Sequence, residues 1–334
     1  MRAIGVMTFG GPEQLEVVEV PEPVPGVGEI RIRVHAAAVS PTDTLLRSGA
    51  QAATLKARGV VPPYIPGMDL AGTVDALGPE YRGQLRTGDP VVALVLPFPA
   101  GAYADKIVVP QESVVRAPRG ISLAAASTVL MNAATAKLAL NMMNLTEGQL
   151  VGVSGSAGAV GGYAIELANA AGLTVIADAK PKDEELIQSL GADHVVPRGV
   201  PFAEAVRSIY PEGVHGVIDG AVLNGLALPA IRDGGHLAVL RAWDGTPDRG
   251  ISVHKVYVGS AVKETAMLES LVQDVEQGVI TPRVAGIYPA HDASRAHARL
   301  EAGKLGGRLV LDFSATTSSP GTKIVPTVDA PRAS

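Results

Sequence analysis

Residues 150–178, LVGVSGSAGAVGGYAIELANAAGLTVIAD, decide the fold of this chain. The apolar run at 150–154 is typical of a buried strand, and the small residues at 155–162 indicate a loop. Residues 163–171 predict a helix, and residues 174–177 predict a second strand that ends at Asp178. The stretch therefore predicts a strand–helix–strand unit. Its small-residue turn would let a diphosphate approach backbone N–H groups at the positive end of a helix dipole.

The loop can be compared with the dinucleotide fingerprint G-x-G-x-x-G. Ser156 takes the place of the first glycine, whereas Gly158 and Gly161 supply the second and third. The serine breaks the strict match, but the flanking strands, the helix and Asp178 favour nucleotide binding. Two alternatives are a glycine-rich turn that serves only packing and the nucleophile elbow G-x-S-x-G, which Ser154 and Ser156 each miss by one flanking glycine.

The composition restricts the class of protein. With 334 residues, 47% hydrophobic and 18% charged, the chain is globular and long enough for two domains. A net charge of −5 argues against a basic nucleic-acid-binding surface. The chain has no cysteine, so disulfides, thiol nucleophiles and Cys-ligated zinc are excluded. We see no secretory signal and no run of about 18 apolar residues, so we expect a cytoplasmic protein without membrane association.

The secondary-structure pattern changes once along the chain. Residues 1–118 are short strands with Pro/Gly turns, typical of a mostly β domain, and residues 51–59 indicate a polar loop. From residue 122, helices and strands alternate, which predicts a doubly wound parallel sheet and includes a predicted helix at 223–231. Residues from about 260 return to the first domain, and the Ser/Thr/Pro-rich segment 315–334 indicates a flexible tail. The fold class is therefore α/β.

Several stretches carry a resemblance to a known family, in the order VSPTDTLLRSG, YIPGMDLAGTVDALG, LRTGDPVVALV, GAYADKIVVP, AAASTVLMNAATA, VGVSGSAGAVG, LGADHVV and GGHLAVL. Over residues 1 to about 313 the chain resembles the medium-chain dehydrogenase/reductase superfamily. More narrowly, it resembles the zinc-free quinone oxidoreductase (zeta-crystallin-like) branch. The resemblance implies a GroES-like catalytic domain at 1–120 and 262–314, a Rossmann NAD(P)-binding domain at 121–261 and a flexible tail at 315–334.

The resemblance also bears on metal binding. Zinc alcohol dehydrogenases carry Cys where this chain has Ser40, His where it has Met68, and a further Cys near Asn132. A hydroxyl and a thioether do not hold zinc as thiolate and imidazole do. The resemblance therefore implies no metal, and it favours reduction of a quinone or an activated C=C bond over alcohol oxidation.

The cofactor is expected to be a nicotinamide dinucleotide. The residues implied to hold its diphosphate are Ser154, Gly155, Ser156, Ala157, Gly158, Ala159 and Val160. Asp178 stands where an acid would accept the adenosine ribose hydroxyls, which is typical of NAD sites. Lys180 and Lys182 follow it and could neutralise both the acid and a 2′-phosphate, or could simply be solvated. The resemblance favours NADPH over NADH by a small margin.

The resemblance places the nicotinamide near Ser40 and a set of residues on two other segments, namely Asn132, Thr135, Val239, Leu240 and Arg241. The candidate catalytic residues are Ser40, Asp43 and Thr135. Ser40 could hydrogen-bond the carboxamide or a substrate carbonyl, or could only cap a helix. Asp43 could relay a proton if burial raised its pKa, or could pair with the backbone or a basic group. The candidate substrate-contacting residues are Arg47, Tyr64, Met68 and Trp243.

These inferences predict an NAD(P)H-dependent oxidoreductase that transfers hydride to a quinone or to the C=C bond of an α,β-unsaturated carbonyl. We expect a small-molecule substrate and a homodimer. One alternative is a nucleotide-binding protein of the same fold with a non-reductive or regulatory role, because Ser40 and Leu45 replace the residue types usual at these positions. The other is a serine hydrolase that would use Ser154 or Ser156 with Asp219 and His236.

Overall fold

The computed structural model describes residues 1–198 and 201–314, together with the backbone of residues 323–324. The strands are β1 Arg2–Val6, β2 Leu15–Glu19, β3 Glu29–Val39, β4 Asp69–Leu77, β5 Pro90–Leu94, β6 Lys106–Pro110, β7 Val114–Arg116, β8 Leu150–Ser154, β9 Thr174–Ala179, β10 His194–Pro197, β11 Val214–Asp219, β12 Ile231–Val239, β13 Ser252–Lys255, β14 Val284–Pro289, β15 Arg308–Asp312 and β16 Lys323–Ile324. The helices are α1 Pro41–Ser48, α2 Ala52–Ala57, α3 Leu123–Ala126, α4 Leu130–Met143, α5 Ala159–Ala170, α6 Glu184–Ser189, α7 Phe202–Ile209, α8 Thr265–Glu276 and α9 Ala293–Glu301.

A mixed sheet forms the first half of the fold. Its strands run in the order β14-β15-β3-β4-β5-β7, and β6 pairs with the first half of β3. Strand β3 alternates in sequence, and its residues Ile30, Ile32 and Val34 are buried against the core. Strand β15 pairs antiparallel with the end of β3, so the C-terminal part of the described chain extends the N-terminal sheet.

A six-stranded parallel sheet forms the second half, in the order β10-β9-β8-β11-β12-β13. Strands β9 and β11 lie on opposite sides of β8, so the strand order reverses at β8. In open parallel sheets ligands bind at the carboxyl ends of strands beside such a reversal, and the glycine-rich loop follows β8 at this place. The predicted fold class, a mostly β GroES-like domain with a doubly wound parallel sheet, is confirmed.

Some local predictions were wrong. Residues 51–59 contain the short helix α2, because Leu55 is 1% exposed and fixes this polar segment on the core. Residues 224–230 form a 3-10 segment and not the predicted α-helix, since Pro229 lies inside it and cannot donate a helical hydrogen bond. Helix α5 begins at Ala159, four residues before its predicted start, and β13 was not predicted.

Two further segments bear on the sequence predictions, one within the predicted flexible tail and one that is long and apolar. Residues 323–324 pair in parallel with β2, and the rest of the predicted tail lies outside the described residues. By length and composition alone, the segment Leu123–Met143 is apolar enough to cross a bilayer, contrary to the expectation that such a run is absent. Of its most apolar 18-residue window, 67% is buried inside the protein, which is typical of the core helix of a soluble protein.

Candidate active site

The loop between β8 and α5 has the backbone geometry of a diphosphate cradle. Gly155 turns the chain with φ at +70°, and a Cβ there would lie 2.7 Å from the Gly220 backbone. A Cβ on Gly161 would lie 2.5 Å from the Gly155 carbonyl oxygen, so helix and loop approach each other only because both residues are glycine. The N-cap of α5 is Gly158, which has no side chain to occupy the N–H groups of the first turn.

Ser156 and Asp178 are locked to each other. The Ser156 backbone N–H donates to Asp178 Oδ1 at 3.0 Å, and the Asp178 N–H donates to Ser156 Oγ at 3.2 Å. Ser156 Oγ in turn donates to the Val153 carbonyl at 2.8 Å. The serine that breaks the fingerprint therefore joins the loop to β9. It also turns the Asp178 carboxylate toward the protein, where its side chain is 7% exposed.

The cation nearest Asp178 was not among the predicted residues. Arg198 follows β10, the strand next to β9, and its Nε lies 3.8 Å from Asp178 Oδ2. Lys180 is exposed, and Lys182 pairs at 3.7 Å with Asp183. Adjacent parallel strands end at the same sheet edge, so the position of Arg198 after β10 was the signal that could have identified it.

Ser40 and Asp43 form the start of α1. The Ser40 N–H donates to Asp43 Oδ2 at 2.7 Å, and the Thr42 N–H donates to Ser40 Oγ at 3.4 Å, which is a capping box. Ser40 is only 2% exposed, and its hydroxyl also donates to Met131 Sδ at 3.4 Å. The structure thus shows the capping function of Ser40, and contact with a substrate or cofactor stays a prediction.

Asp43 connects several segments beneath the site. Its Oδ1 accepts from the Gly67 N–H at 3.0 Å, and its Oδ2 accepts from the Tyr103 hydroxyl at 3.1 Å. Burial raises the pKa of Asp43 to about 6, because its hydrogen bonds offset only part of the cost of removing the carboxylate from water. His297 lies on the far side of Tyr103, 3.3 Å from the hydroxyl, and burial lowers its pKa to about 3. Tyr103 and His297 were not predicted.

Asn132 and Thr135 lie on α4 with their side chains bonded to their own helix. Asn132 Nδ2 donates to the Thr128 carbonyl at 3.3 Å, and Thr135 Oγ1 donates to the Met131 carbonyl at 2.7 Å. Val239 ends β12 at the same sheet edge as Asp219, and Leu240 and Arg241 follow it. Whether these residues contact a nicotinamide stays a prediction.

The structure does not gather the four predicted substrate residues into one surface. Arg47 is 3% exposed, donates to the Gly10 carbonyl at 3.2 Å and pairs with Glu301 at 2.5 Å, so its guanidinium is engaged in the β domain. Tyr64 stacks on Phe9 with ring centroids 4.7 Å apart. Trp243 packs on the core of the parallel sheet. Met68 is buried beside the Asp43 cluster at 4% exposure.

A second buried acid and an arginine lie behind Met131, and neither was predicted as a site residue. Asp69 Oδ2 accepts from the Met131 N–H at 3.0 Å, whereas Asp69 Oδ1 is buried without a hydrogen-bond partner. Arg308 Nη2 lies 3.6 Å from Met131 Sδ, and Arg308 Nε also lacks a partner. Burial raises the pKa of Asp69 well above its usual range and lowers the pKa of Arg308.

The side chains at the metal positions implied by the resemblance do not fit zinc. Ser40 and Met68 offer a hydroxyl and a thioether, and the third position, near Asn132, has the Met131 thioether beside it, and these groups are poor ligands for this ion. Within residues 1–198 and 201–314, no group of three or more His, Asp or Glu side chains is arranged to hold a metal. The side chains at these positions therefore do not have the donor atoms of a zinc site.

The serine hydrolase alternative lacks its base in the described residues. Ser154 Oγ donates to Asp219 Oδ1 at 2.7 Å, and both Ser154 and Ser156 are fully buried. His236 Nδ1 lies 3.1 Å from His254 Nε2, on the neighbouring strand. A nucleophile needs a base within hydrogen-bond reach, so this serine–aspartate pair serves the loop and not hydrolysis.

Comparison with known proteins gives consistent matches over nearly the whole chain. The alcohol dehydrogenase GroES-like domain matches residues 26–119, and the zinc-binding dehydrogenase family matches residues 190–311. The quinone oxidoreductase of Sus scrofa is 28% identical over 313 residues, 89% of this chain and 93% of its own length.

Two solved structures have the same fold. Mycobacterial Rv1454c, solved in complex with NADPH, is 29% identical with a TM-score of 0.82 and covers 93% of this chain and 100% of its own. An NAD-dependent alcohol dehydrogenase is 26% identical with a TM-score of 0.83 and covers 94% of this chain and 100% of its own.

Proposed function

Because the chain belongs to the medium-chain dehydrogenase/reductase superfamily, in its quinone oxidoreductase branch, we propose that it reduces a quinone or an α,β-unsaturated carbonyl with NADPH and without zinc. That it is an oxidoreductase with a nicotinamide cofactor follows from the family. The electron acceptor, the choice of NADPH and the independence from zinc are the proposed part. The observation that carries the zinc independence and the choice of acceptor is the set of side chains at the metal position, where Ser40, Met68 and Met131 stand in place of zinc ligands.

The described residues fit the cofactor's phosphates. The N–H groups at the start of α5, left open by Gly158, would bind the diphosphate, and Gly155 and Gly161 leave room for it. Asp178 Oδ1 accepts from the Ser156 N–H, and Asp178 Oδ2 lies 3.8 Å from Arg198 Nε, so the negative charge that would repel a 2′-phosphate is partly offset by a cation. Arg198 stands beside this carboxylate and can bind a 2′-phosphate, which supports the choice of NADPH.

The chemistry of reduction needs little acid–base machinery from the chain. When bound, the nicotinamide supplies the hydride. The capping box and the Asp43 clamp fix Ser40 in position, so its hydroxyl can donate to the oxygen of a substrate carbonyl that becomes negative during reduction. Asp43 joins the segments at Ser40 and Gly67, and these segments carry Ser40 and Met68, which stand at metal-ligand positions. Its hydrogen bonds hold the two segments rigid, so a substrate bound between them would be held in a fixed orientation.

Turnover with a panel of acceptors tests the proposal. We expect NADPH oxidation with quinones and enones, a lower rate with NADH, and no response to a chelator. Tight NADPH binding without turnover on any acceptor would favour the alternative of a non-reductive nucleotide-binding protein. A strong preference for NADH would refute the proposed choice of NADPH, but it would still agree with the proposed reductase activity.

We also propose a homodimer. Strand β13 pairs with β12 alone among the described strands, so its outer edge presents free backbone N–H and C=O groups that a second copy could pair. Light scattering coupled to gel filtration would test this, and a monomer at micromolar concentration would contradict it. The cytoplasmic location and the lack of contact with nucleic acid or membrane stay predictions.

A further inference from the structure

The first turns of α5 contain a glycine that the dinucleotide fingerprint does not explain. Gly162 follows Gly161, the third glycine of the fingerprint, and lies inside the helix, where glycine is less favourable than alanine. A Cβ at this position would overlap Arg283 Nη2 and lie 2.9 Å from Arg283 Cζ, whereas the next atom, Leu190 Cδ1, is 3.4 Å away. Gly162 therefore leaves room for one group in particular, the guanidinium of Arg283.

Arg283 reaches this helix from the other half of the fold. It directly precedes β14, and its carbonyl accepts the Arg308 N–H at 2.8 Å, so its backbone is attached to the mixed sheet. Its Nη2 donates to the carbonyl of Gly158, the N-cap of α5, at 2.8 Å. The side chain therefore joins the mixed sheet directly to the loop that is expected to hold the cofactor diphosphate.

The surroundings of the Arg283 guanidinium do not favour a cation in the free protein. The N-terminal end of a helix carries partial positive charge, and Arg283 Nη1 is buried without a hydrogen-bond partner. Burial lowers the pKa of Arg283, and Glu166 and Asp183 offset part of this effect. Both acids have other partners, because Glu166 Oε2 accepts the Thr281 N–H at 3.1 Å and Asp183 pairs with Lys182 at 3.7 Å. An anion bound at the start of α5 would make the position of this cation favourable.

The hydrogen bond to Gly158 fixes the direction of a cofactor-binding group. In a trans peptide the carbonyl of one residue and the N–H of the next point in opposite directions, so the Gly158 carbonyl and the Ala159 N–H turn together. The Gly162 N–H and Arg283 Nη2 both donate to this carbonyl, at 3.0 and 2.8 Å. The Ala159 N–H then points out of the first turn, where no carbonyl of the helix can accept it. Because Gly158 lacks a side chain and has wide backbone freedom, the second donor adds a restraint that the helix alone does not supply.

We propose that Arg283 is a positioning residue for the diphosphate of the cofactor. It holds the Gly158 carbonyl from the mixed sheet, so the Ala159 N–H is directed at the diphosphate before the cofactor binds. Its charge also adds to the positive potential at this end of α5. The proposal rests on the proposed function in that a nicotinamide dinucleotide occupies this loop. Since NADPH, NADH and ADP share the diphosphate, Arg283 should act equally on the affinity for all three.

The experiment measures dissociation constants for NADPH, NADH and ADP in Arg283→Met, in Arg283→Lys and in the surface control Arg295→Met, whose arginine pairs with Asp292. In Arg283→Met we expect all three constants to rise about tenfold, near the lower limit for a hydrogen bond from a charged donor, because the side chain is only partly buried. Arg283→Lys keeps a charged donor and should stay within about threefold of wild type. The kcat at saturating cofactor should not change, since the reacting groups are untouched.

Gly162→Ala tests the same contact without removing the charge. The added methyl group takes the place of the guanidinium, so affinity for the three nucleotides should again fall about tenfold. In the Arg283→Met background the shorter side chain leaves this place empty, and Gly162→Ala should then change the affinity by less than about twofold. Urea unfolding of each variant separates a loss of binding from a loss of folding. If Gly162→Ala fails to fold, the methionine and lysine variants of Arg283 decide the question.

Several results would overturn the proposal. One is unchanged affinity in Arg283→Met, and another is a loss for NADPH alone, which would assign Arg283 to the 2′-phosphate. Equal losses in Arg283→Lys and Arg283→Met, or equal effects of Gly162→Ala in both backgrounds, would also contradict it. Failure of the proposed function looks different, because the wild-type protein and Arg295→Met would then bind none of the three nucleotides. If they bind the nucleotides but reduce no acceptor, the affinities still test Arg283.

Discussion

Arg198→Ala should remove most of the preference for NADPH. In the structure Arg198 Nε lies 3.8 Å from Asp178 Oδ2, at the sheet edge where the adenosine ribose is expected. A hydrogen bond from a charged donor to a phosphate is worth ~1.5–3 kcal/mol, or about 10- to 150-fold in affinity. Because the Arg198 side chain is 39% exposed, solvent screening places the effect near the lower limit, about tenfold.

Fluorescence titration with NADPH and with NADH would measure this effect. We expect the dissociation constant for NADPH to rise about tenfold and that for NADH to change by less than about twofold. Asp178→Asn, which keeps an acceptor for the Ser156 N–H and removes the charge, should strengthen NADPH binding. Lys182→Ala is the matched control, since Lys182 pairs with Asp183. Two results would refute the assignment of Arg198 to the 2′-phosphate. These are equal losses of affinity for NADPH and NADH in Arg198→Ala, or a large loss of affinity for NADH in Asp178→Asn.

Three further predictions concern the buried acids and the metal. The pKa of Asp43 rises from 3.8 in the unfolded chain to about 6 in the fold, so the folded protein binds this proton more tightly. Its contribution to the free energy of unfolding therefore falls by up to ~3 kcal/mol as pH rises through this window, and urea unfolding of Asp43→Asn should lack this slope. A slope equal to that of wild type would contradict the assignment. Tyr103→Phe removes a donor to Asp43 and should cost ~1–2 kcal/mol of stability, measured by the same unfolding and contradicted by an unchanged midpoint. Dialysis against a chelator should leave the reductase rate unchanged, and a loss restored by added zinc would show that a metal is needed after all.

The cofactor loop could be predicted because its signal is local. An apolar strand, a loop of small residues, a mostly apolar helix and a second apolar strand follow one another within 29 residues, so the local sequence pattern indicated the strand–helix–strand unit. The same sequence did not show how the loop is held. Spacing placed Ser156 and Asp178 near each other, but their mutual hydrogen bonds turn the acid inward, and only the folded backbone determines that direction.

The missed residues act across long separations in the chain. Met131 and Arg308 are 177 residues apart, and Tyr103 and His297 are 194 apart, so no local pattern links them. Arg308 lies in the strand GRLVLDF, where an arginine at the strand start is ordinarily a solvated end residue. Helix α2 was missed for a related reason, because tertiary burial of Leu55 and not periodicity stabilises it.

Transfer of deuterium tests the central claim most directly. The protein would be incubated with an enone and NADPH that carries deuterium at the transferable position of the nicotinamide, and the product would be analysed by mass spectrometry. The account predicts deuterium at the β-carbon of the saturated carbonyl, in an amount equal to the NADPH consumed, with or without a chelator. Product without deuterium at that carbon, or consumption that stops when zinc is removed, would contradict it.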